Sequence, residues 1–394
     1  MRALAALLLV LIAAAPPPIA PGAAQPVKTL LPDSAARWVP FTLTPGNQVR
    51  FIARLDGKPV AAILDTGLSY SVLSRDYVSK AKIAVTQRGS ATVVGGVVPI
   101  GWAATRTLSL GGLTRTGGQI AVADVPALAA GGGEKIDLLV GPDLLAGYAL
   151  DIDYPAHRFR LLPSGRLPFR GASAPLRTSP ITNVYLTDGE LGGQPLHPLV
   201  VDTGDGSMLT LSHAAWRRAE PDPPPMTSAV SYGLGGTVVT GLAIVPDMRL
   251  GDLDAKNIEV RIEPADGFSA AIGTEGRLGT GFLQRYRVLL DPHAGRLVFA
   301  PGPEADQAPV RSTSGLLLGF AGDRLRVVHV MAHSPAAETG WKQGDTICAV
   351  DGQPIPRDYS DNALSNWSVG APGRTVSLKL CDGATRKLTL RHFY

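Results

Sequence analysis

One pattern occurs twice along the chain, and it limits the folds available. "LDGKPVAAILDTG" at residues 55–67 aligns with "LGGQPLHPLVVDTG" at 191–204, so Asp65-Thr66-Gly67 and Asp202-Thr203-Gly204 each end an apolar run. Further on, Gly95, Gly96, Gly101 and Gly111 all recur 140 residues later in "GGTVVTGLAIVPDMRLGDL". A third block, "VGPDLLAGYALDID" at 140–153, returns as "LGTGFLQRYRVLLD" at 278–291. Offsets that drift only between 136 and 140 across three blocks point to a duplicated domain with insertions confined to loops.

Each copy reads as a strand hairpin leading into Asp-Thr-Gly, then a glycine-tipped hairpin and a strand ending in Leu-Gly. A short helix at "PDLLAG" or "GFLQR" and a closing strand complete it. "RVLLDPHAGRLVFA" alternates with period two around a His-Ala-Gly turn, a hairpin signature. Forty-five glycines, 33 prolines and only short apolar runs also favour strands and turns, so a mostly β class is expected. "LLPSGRLPFRGASAPLRTSP" reads as a linker between the copies, and "APGPEADQAPVRSTSG" as one before the C-terminal residues. The expected units are residues 25–170, 171–305 and 306–394.

Residues 1–24 have the layout of a cleaved secretory signal: Arg2, an apolar run from Ala3 to Ala15, and small residues at Gly22 and Ala24. The run is too short to span a bilayer, and no later segment approaches ~20 apolar residues. The expectation is an exported protein, periplasmic or secreted, without stable membrane insertion once the signal is removed. The 37 basic and 33 acidic residues are scattered, which is a solvated surface with no nucleic-acid footprint. Cys348 and Cys381 are the only cysteines, and either a single disulfide or two unpaired strand thiols would suit an exported chain.

Metal and cofactor chemistry is not expected. Seven histidines show no His-Glu-x-x-His or paired spacing, and His213 reads as a solvated residue at a helix start. "GGGEK" at 131–135 lacks the Lys-Ser/Thr of a phosphate loop and reads as a mobile loop. No Gly-x-Ser-x-Gly elbow is present.

The paired acids suggest a different chemistry. Two carboxyls within hydrogen-bonding distance share one proton, so one can polarise a water while the other donates to a carbonyl. At these residues the sequence resembles the aspartic peptidases of the pepsin and retropepsin type. The resemblance covers both Asp-Thr-Gly triplets and a later apolar-apolar-Gly element at Leu139-Val140-Gly141 and Arg277-Leu278-Gly279, the second with Arg in the first place. It implies two tandem β-barrel lobes in a pseudo-twofold bilobal unit, with Asp65 and Asp202 as the catalytic dyad. Thr66, Gly67, Thr203 and Gly204 would support the dyad, and hairpins at Gly95, Gly96, Tyr232, Gly235 and Gly236 would act as flaps over a peptide or protein substrate. The chain departs from the family at Leu68 and Asp205, where a small or hydroxyl residue is usual; Ser69 and Ser207 are expected to supply the missing hydroxyl. A neighbouring Asp205 is expected to raise the dyad's apparent pKa values and to move the optimum away from strong acid.

The last unit resembles the PDZ domains of bacterial exported proteases, on "VVHVMAHSPAAETGWKQGDTICAVDGQPI" at 327–355. Ser334 is a candidate N-cap, Pro335 a first helical residue, and Gly340 a helix end. The resemblance implies a small α+β module that binds a peptide C-terminus at Leu318, Gly319 and Phe320 by strand addition, with the segment Tyr359 to Trp367 as the opposite wall. The reading is thus an exported aspartic endopeptidase that acts as a monomer on peptide or protein substrates. An inactive peptide-binding scaffold of the same fold, and a dimer that pairs lobes from two chains, are the competing readings.

Overall fold

Two large sheets share one strand order. In the first, Val85–Val93 and Gly96–Ala104 lead through Gln119–Ala123, Val72–Ser74 and Leu138–Val140 to Lys58–Leu64 and Val49–Leu55. In the second, Thr227–Gly233 and Gly236–Leu250 lead through Leu253–Ile262, Leu209–Leu211 and Gly276–Gly279 to Gln194–Asp202 and Tyr185–Leu191. These relations come from a computed structural model that describes residues 6–8, 12–13, 25–127, 135–359 and 362–394. The protein is mostly β, with 48% strand and 11% helix.

Alternation fixes the register. Along Val49–Leu55 the side chains of Val49, Phe51, Ala53 and Leu55 are buried while Ile52 is exposed, so a one-residue slip would turn the core face to water. The strand running into each Asp-Thr-Gly lies parallel to the strand ending at Val140 or Gly279, with Leu64 opposite Val140 and Asp202 opposite Gly279. After each triplet the chain turns through a short strand into a helix, Arg75–Ala81 or His213–Ala219. Ser74 and Ser212 cap these helices, accepting from the amides of Tyr77 and Ala215.

A third sheet draws strands from both halves: Ala172–Pro175, Arg296–Pro301, Tyr286–Asp291, Tyr148–Asp153, Arg158–Pro163 and Val39–Pro40. The halves join where Leu150 faces Leu290 and Asp153 faces Arg287. The stretch expected as a linker is therefore partly strand, because its alternate apolar residues Ala174 and Leu176 are buried and Ala174 pairs with Leu297. Asp151, wholly buried, anchors the seam by accepting from Arg160 Nε at 2.9 Å and Arg287 Nη2 at 2.8 Å.

The C-terminal sheet runs Leu316–Phe320, Leu325–Val330, Thr346–Val350, Thr375–Leu380, Thr385–Thr389 around a core that includes Val327, Ile347, Trp367 and Leu388. Ser334 caps the helix Pro335–Glu338, accepting from the amide of Ala337. Cys348 and Cys381 form a disulfide, which resolves the alternatives left open by their spacing. This sheet docks on the base of the second glycine-tipped hairpin. Thr227 Oγ1 donates to the Ala332 carbonyl at 2.7 Å, Ser228 Oγ lies 2.8 Å from His329 Nε2, and Ala229, Leu242, Met331 and Tyr394 bury a shared apolar patch.

Of the expected signal, residues 1–24, the short strands Ala6–Leu8 and Ile12–Ala13 are described, pairing with the strands Thr227–Gly233 and Val85–Val93; its other residues and the glycines of the expected mobile loop, 131–133, lie outside the described residues. Among the described residues no helix is long and apolar enough to cross a membrane.

Candidate active site

Asp65 and Asp202 are both fully buried, each on the turn that follows a central strand. The two turns grip one another symmetrically. Thr66 Oγ1 accepts from the Thr203 amide at 3.0 Å and donates to the Val201 carbonyl at 2.7 Å; Thr203 Oγ1 accepts from the Thr66 amide at 3.0 Å and donates to the Leu64 carbonyl at 2.9 Å. Four hydrogen bonds satisfy these buried polar groups across the interface, which locks the turns at a fixed separation.

The glycines of both triplets make the space for the opposite acid. A Cβ on Gly67 would lie 2.4 Å from the Asp202 carboxyl carbon, and one on Gly204 would lie 2.4 Å from that of Asp65. The carboxyls therefore meet at the pseudo-twofold axis. Asp65 Oδ1 accepts from the Gly67 amide at 3.1 Å, whereas Asp202 Oδ1 accepts from the amides of Gly204 at 2.9 Å and Asp205 at 3.1 Å. Neither Oδ2 atom accepts from a donor outside the pair, and the two carboxyls are close enough to hydrogen-bond one another. Burial first, and then the charge of Asp202, hold the Asp65 carboxyl well above the usual carboxylate range. Burial and the Asp205 charge push Asp202 up to about 7, against the pull of Arg277 and the two amides.

Neither Ser69 nor Ser207 reaches the acids they were expected to support. Ser69 Oγ is buried without a partner, and Ser207 Oγ is drawn away to Asp205 Oδ1 at 2.7 Å and Thr210 Oγ1 at 2.8 Å. In the second half the extra support is instead the amide of Asp205 itself. Leu68, in the corresponding place of the first half, is buried among apolar side chains.

Two further supports escape a reading of local motifs. Gln48 Nε2 donates to the Gly204 carbonyl at 3.1 Å and Asn47 Nδ2 to the Gly206 carbonyl at 3.0 Å, so a turn in the first half holds the Asp202 turn of the second. Thr44 steadies Gln48, donating to its Oε1 at 3.2 Å and accepting from its amide at 3.1 Å. The only sequence signal was Asn47 in "TPGNQ", a residue that tolerates the left-handed φ of 64° it adopts.

The hairpin tips of both halves touch. The Gly235 amide donates to the Val94 carbonyl at 3.0 Å, and a Cβ on Gly235 would lie 2.5 Å from the Gly95 carbonyl carbon. Gly95, Gly96 and Gly236 have φ of 90°, 137° and 120°, which L-residues rarely adopt. Tyr232, half-buried, packs on the cluster that holds Ile63 and Leu68 beside the first acid, so the second hairpin reaches the apolar cluster of the first half.

In the C-terminal sheet, Leu318, Gly319 and Phe320 lie on the edge strand. Leu318 packs toward the local core, and Phe320, exposed, stacks on Tyr359 with ring centroids 6.0 Å apart. Tyr359 in turn accepts from Trp367 Nε1 at 3.0 Å. His213 is an exposed helix-start residue. Among the described residues no group of His, Cys, Asp and Glu could hold a metal ion.

A mostly β protein with two buried aspartates on mutually gripped turns is equipped for general acid–base chemistry on a bound substrate. Residues 51–144, which contain Asp65, the first hairpin and Gly141 but not Asp202, match the family model for aspartyl proteases, and this supports a peptidase-type hydrolase. No curated protein matches the chain.

Proposed function

We propose that this protein is an exported aspartic endopeptidase whose dyad is Asp65 with Asp202 of the same chain. The observation that carries the reading is the reciprocal close approach of Gly67 to Asp202 and of Gly204 to Asp65, which leaves one shared carboxyl pair. The ionised carboxyl takes a proton from water as the water oxygen attacks the scissile carbonyl carbon, and the protonated carboxyl donates to the carbonyl oxygen. Collapse of the tetrahedral species breaks the C–N bond as the leaving nitrogen takes up the proton that the first carboxyl took from water, and a hydroxyl proton of the tetrahedral species returns to the second carboxyl. The touching hairpins must part to admit an extended peptide and then exclude water over it. The C-terminal module is proposed to hold a peptide C-terminus at Leu318, Gly319 and Phe320; its edge strand and its seat on the second hairpin support a role in presenting substrate to the cleft.

The test is a diverse peptide library incubated with residues 25–394 across pH 3 to 8 and read by mass spectrometry, beside Asp65→Asn and Asp202→Asn. Cleavage that disappears in both variants and is suppressed by a statine-type inhibitor supports the reading. A folded wild type that cleaves nothing overturns it in favour of a binding scaffold.

A further inference from the structure

The outer edges of the two glycine-tipped hairpins are both occupied by one stretch of the same chain. Ala6–Leu8 adds in parallel to the edge of Thr227–Gly233, with Ala6 opposite Ser231, Leu7 opposite Tyr232 and Leu8 opposite Gly233. Ile12–Ala13 adds in antiparallel to the edge of Val85–Val93, with Ile12 opposite Thr92 and Ala13 opposite Ala91. Without this stretch each hairpin ends its sheet, leaving a row of backbone donors and acceptors open to a further strand.

The opposite senses are what the pseudo-twofold requires. Strands related by that axis point in opposite directions, so one extended chain that crosses it runs parallel to one strand and antiparallel to the other. The registers agree as well. The hairpins correspond with an offset of 140, Gly96 facing Val93 in one as Gly236 faces Gly233 in the other. Ser231 thus corresponds to Ala91 and Tyr232 to Thr92. The residues opposite these positions are Ala6 and Ala13 for the first correspondence, Leu7 and Ile12 for the second. Both pairs have their sequence midpoint between Leu9 and Val10. The hairpins are close enough for a single crossing, since a Cβ on Gly233 would lie 2.2 Å from the Val94 carbonyl oxygen. The four residue steps from 8 to 12 can reach at most about 14 Å. Asp65 and Asp202 meet on the same axis.

We propose that the cleft takes an uncharged, apolar peptide in extended form along both hairpin edges, and that Ala6–Ala13 of this chain is such a ligand, with the Leu9–Val10 bond as the one presented to the two acids. The proposal rests on the peptidase reading and names its substrate class. The chemistry matches on both sides. The hairpin positions that pair with the segment, Ala91, Thr92, Ser231, Tyr232 and Gly233, carry no charge, and residues 3–15 carry none. Beside the first acid, Tyr232 and Leu234 of the second hairpin join Ile63 and Leu68 in one apolar cluster. Burying a charged side chain against these positions leaves it unpaired, whereas an apolar one is stabilised. In the step, water adds to the Leu9 carbonyl carbon and the C–N bond to Val10 breaks, leaving a carboxyl end at Leu9 and an amino end at Val10.

Residues 25–394 hold every described sheet apart from these two short strands, so the chain without the segment is the test protein. The probe is a synthetic peptide of residues 3–16 with two lysines appended at each end for solubility. The wild type is expected to cleave it at Leu9–Val10, read by mass spectrometry, and Asp65→Asn to bind it uncleaved, read by fluorescence anisotropy. N-methylation of the peptide at Ala6, Leu7 and Leu8 removes strand donors and keeps the side chains, and it weakens binding about tenfold or more. Asp65→Asn that retains residues 1–24 binds the peptide about tenfold or more weakly, because the tethered segment competes at high local concentration. Cleavage chiefly at another bond, or binding that N-methylation leaves unchanged, overturns the proposal. A wild type that cleaves other peptides but neither binds nor cleaves this one also overturns it, and the peptidase reading then stands. Binding that N-methylation weakens, with no cleavage by the folded wild type, defeats the peptidase reading while the segment's place in the cleft stands.

Discussion

Gly67 and Asp202, from opposite halves of the chain, approach so closely that a Cβ on the glycine would fall 2.4 Å from the carboxyl carbon, and Gly204 stands in the same relation to Asp65. The tight turn alone would accept another residue at a modest conformational cost; the neighbouring acid accepts none. Gly67→Ala or Gly204→Ala must therefore push the opposite carboxyl out of place. The expected result is loss of at least a hundredfold in kcat/KM, with destabilisation of about 1–3 kcal/mol from overpacking. Peptide cleavage and thermal unfolding check it together, and near-normal activity in either variant would contradict the geometry.

The threonine grip yields a coupling energy. Thr66→Val removes a donor to the Val201 carbonyl and an acceptor for the Thr203 amide; Thr203→Val does the same to Leu64 and Thr66. Each substitution strands two buried backbone groups, so each is expected to cost about 2–4 kcal/mol. Because the two sites share one interface, a double-mutant cycle read by denaturant unfolding gives a non-additive interaction energy of about 1 kcal/mol or more.

Stability falls as pH rises through the dyad's range. Asp202 is raised from 3.8 to about 7 and Asp65 is also raised well above the ordinary carboxylate range, so between 3.8 and about 7 the folded chain holds protons that the unfolded chain has released. Stability contributed by the protonated forms is complete below the ordinary carboxylate value and is lost above it, by roughly 1.4 kcal/mol per pH unit for each such carboxyl. Unfolding followed from pH 5 to 8 shows a downward slope in the wild type and a shallower one in Asp202→Asn. An unchanged slope would place the charge burden elsewhere.

The Cys348–Cys381 bridge closes a span of 33 residues within the C-terminal sheet, distant from the acids in sequence. Its removal in Cys348→Ala/Cys381→Ala is expected to destabilise that unit by roughly 3–4 kcal/mol on the chain-entropy account. Cleavage of short peptides at 20 °C is expected to survive, which a paired unfolding and activity assay measures.

What the sequence revealed was whatever is written locally or repeated. The Asp-Thr-Gly turns, the glycine tips at Gly95 and Gly235, the hairpin at 286–301 and the capped helix after Ser334 each carry their signal within a few residues. The supports that came from afar were hidden. Gln48 reaches Gly204 over 156 residues and Arg277 reaches Asp205 over 72, and neither spacing has a period or a motif. Ser69 and Ser207 misled for a related reason: a hydroxyl two residues from Gly67 is close in sequence, but the turn aims Ser207 at Asp205 and gives Ser69 no partner. The stretch after Leu161 read as a linker because its prolines and glycines conceal the short strand Ala172–Pro175, which exists only by pairing with Arg296–Pro301.

The central claim is that one chain supplies both acids of one site, and mixing two silent variants tests it most directly. Asp65→Asn and Asp202→Asn are assayed for peptide cleavage separately, then together at equal concentration, beside the wild type. The account predicts an active wild type, two inactive variants and a mixture as inactive as either. Recovery of activity in the mixture would mean that acids from different chains meet, and would contradict it.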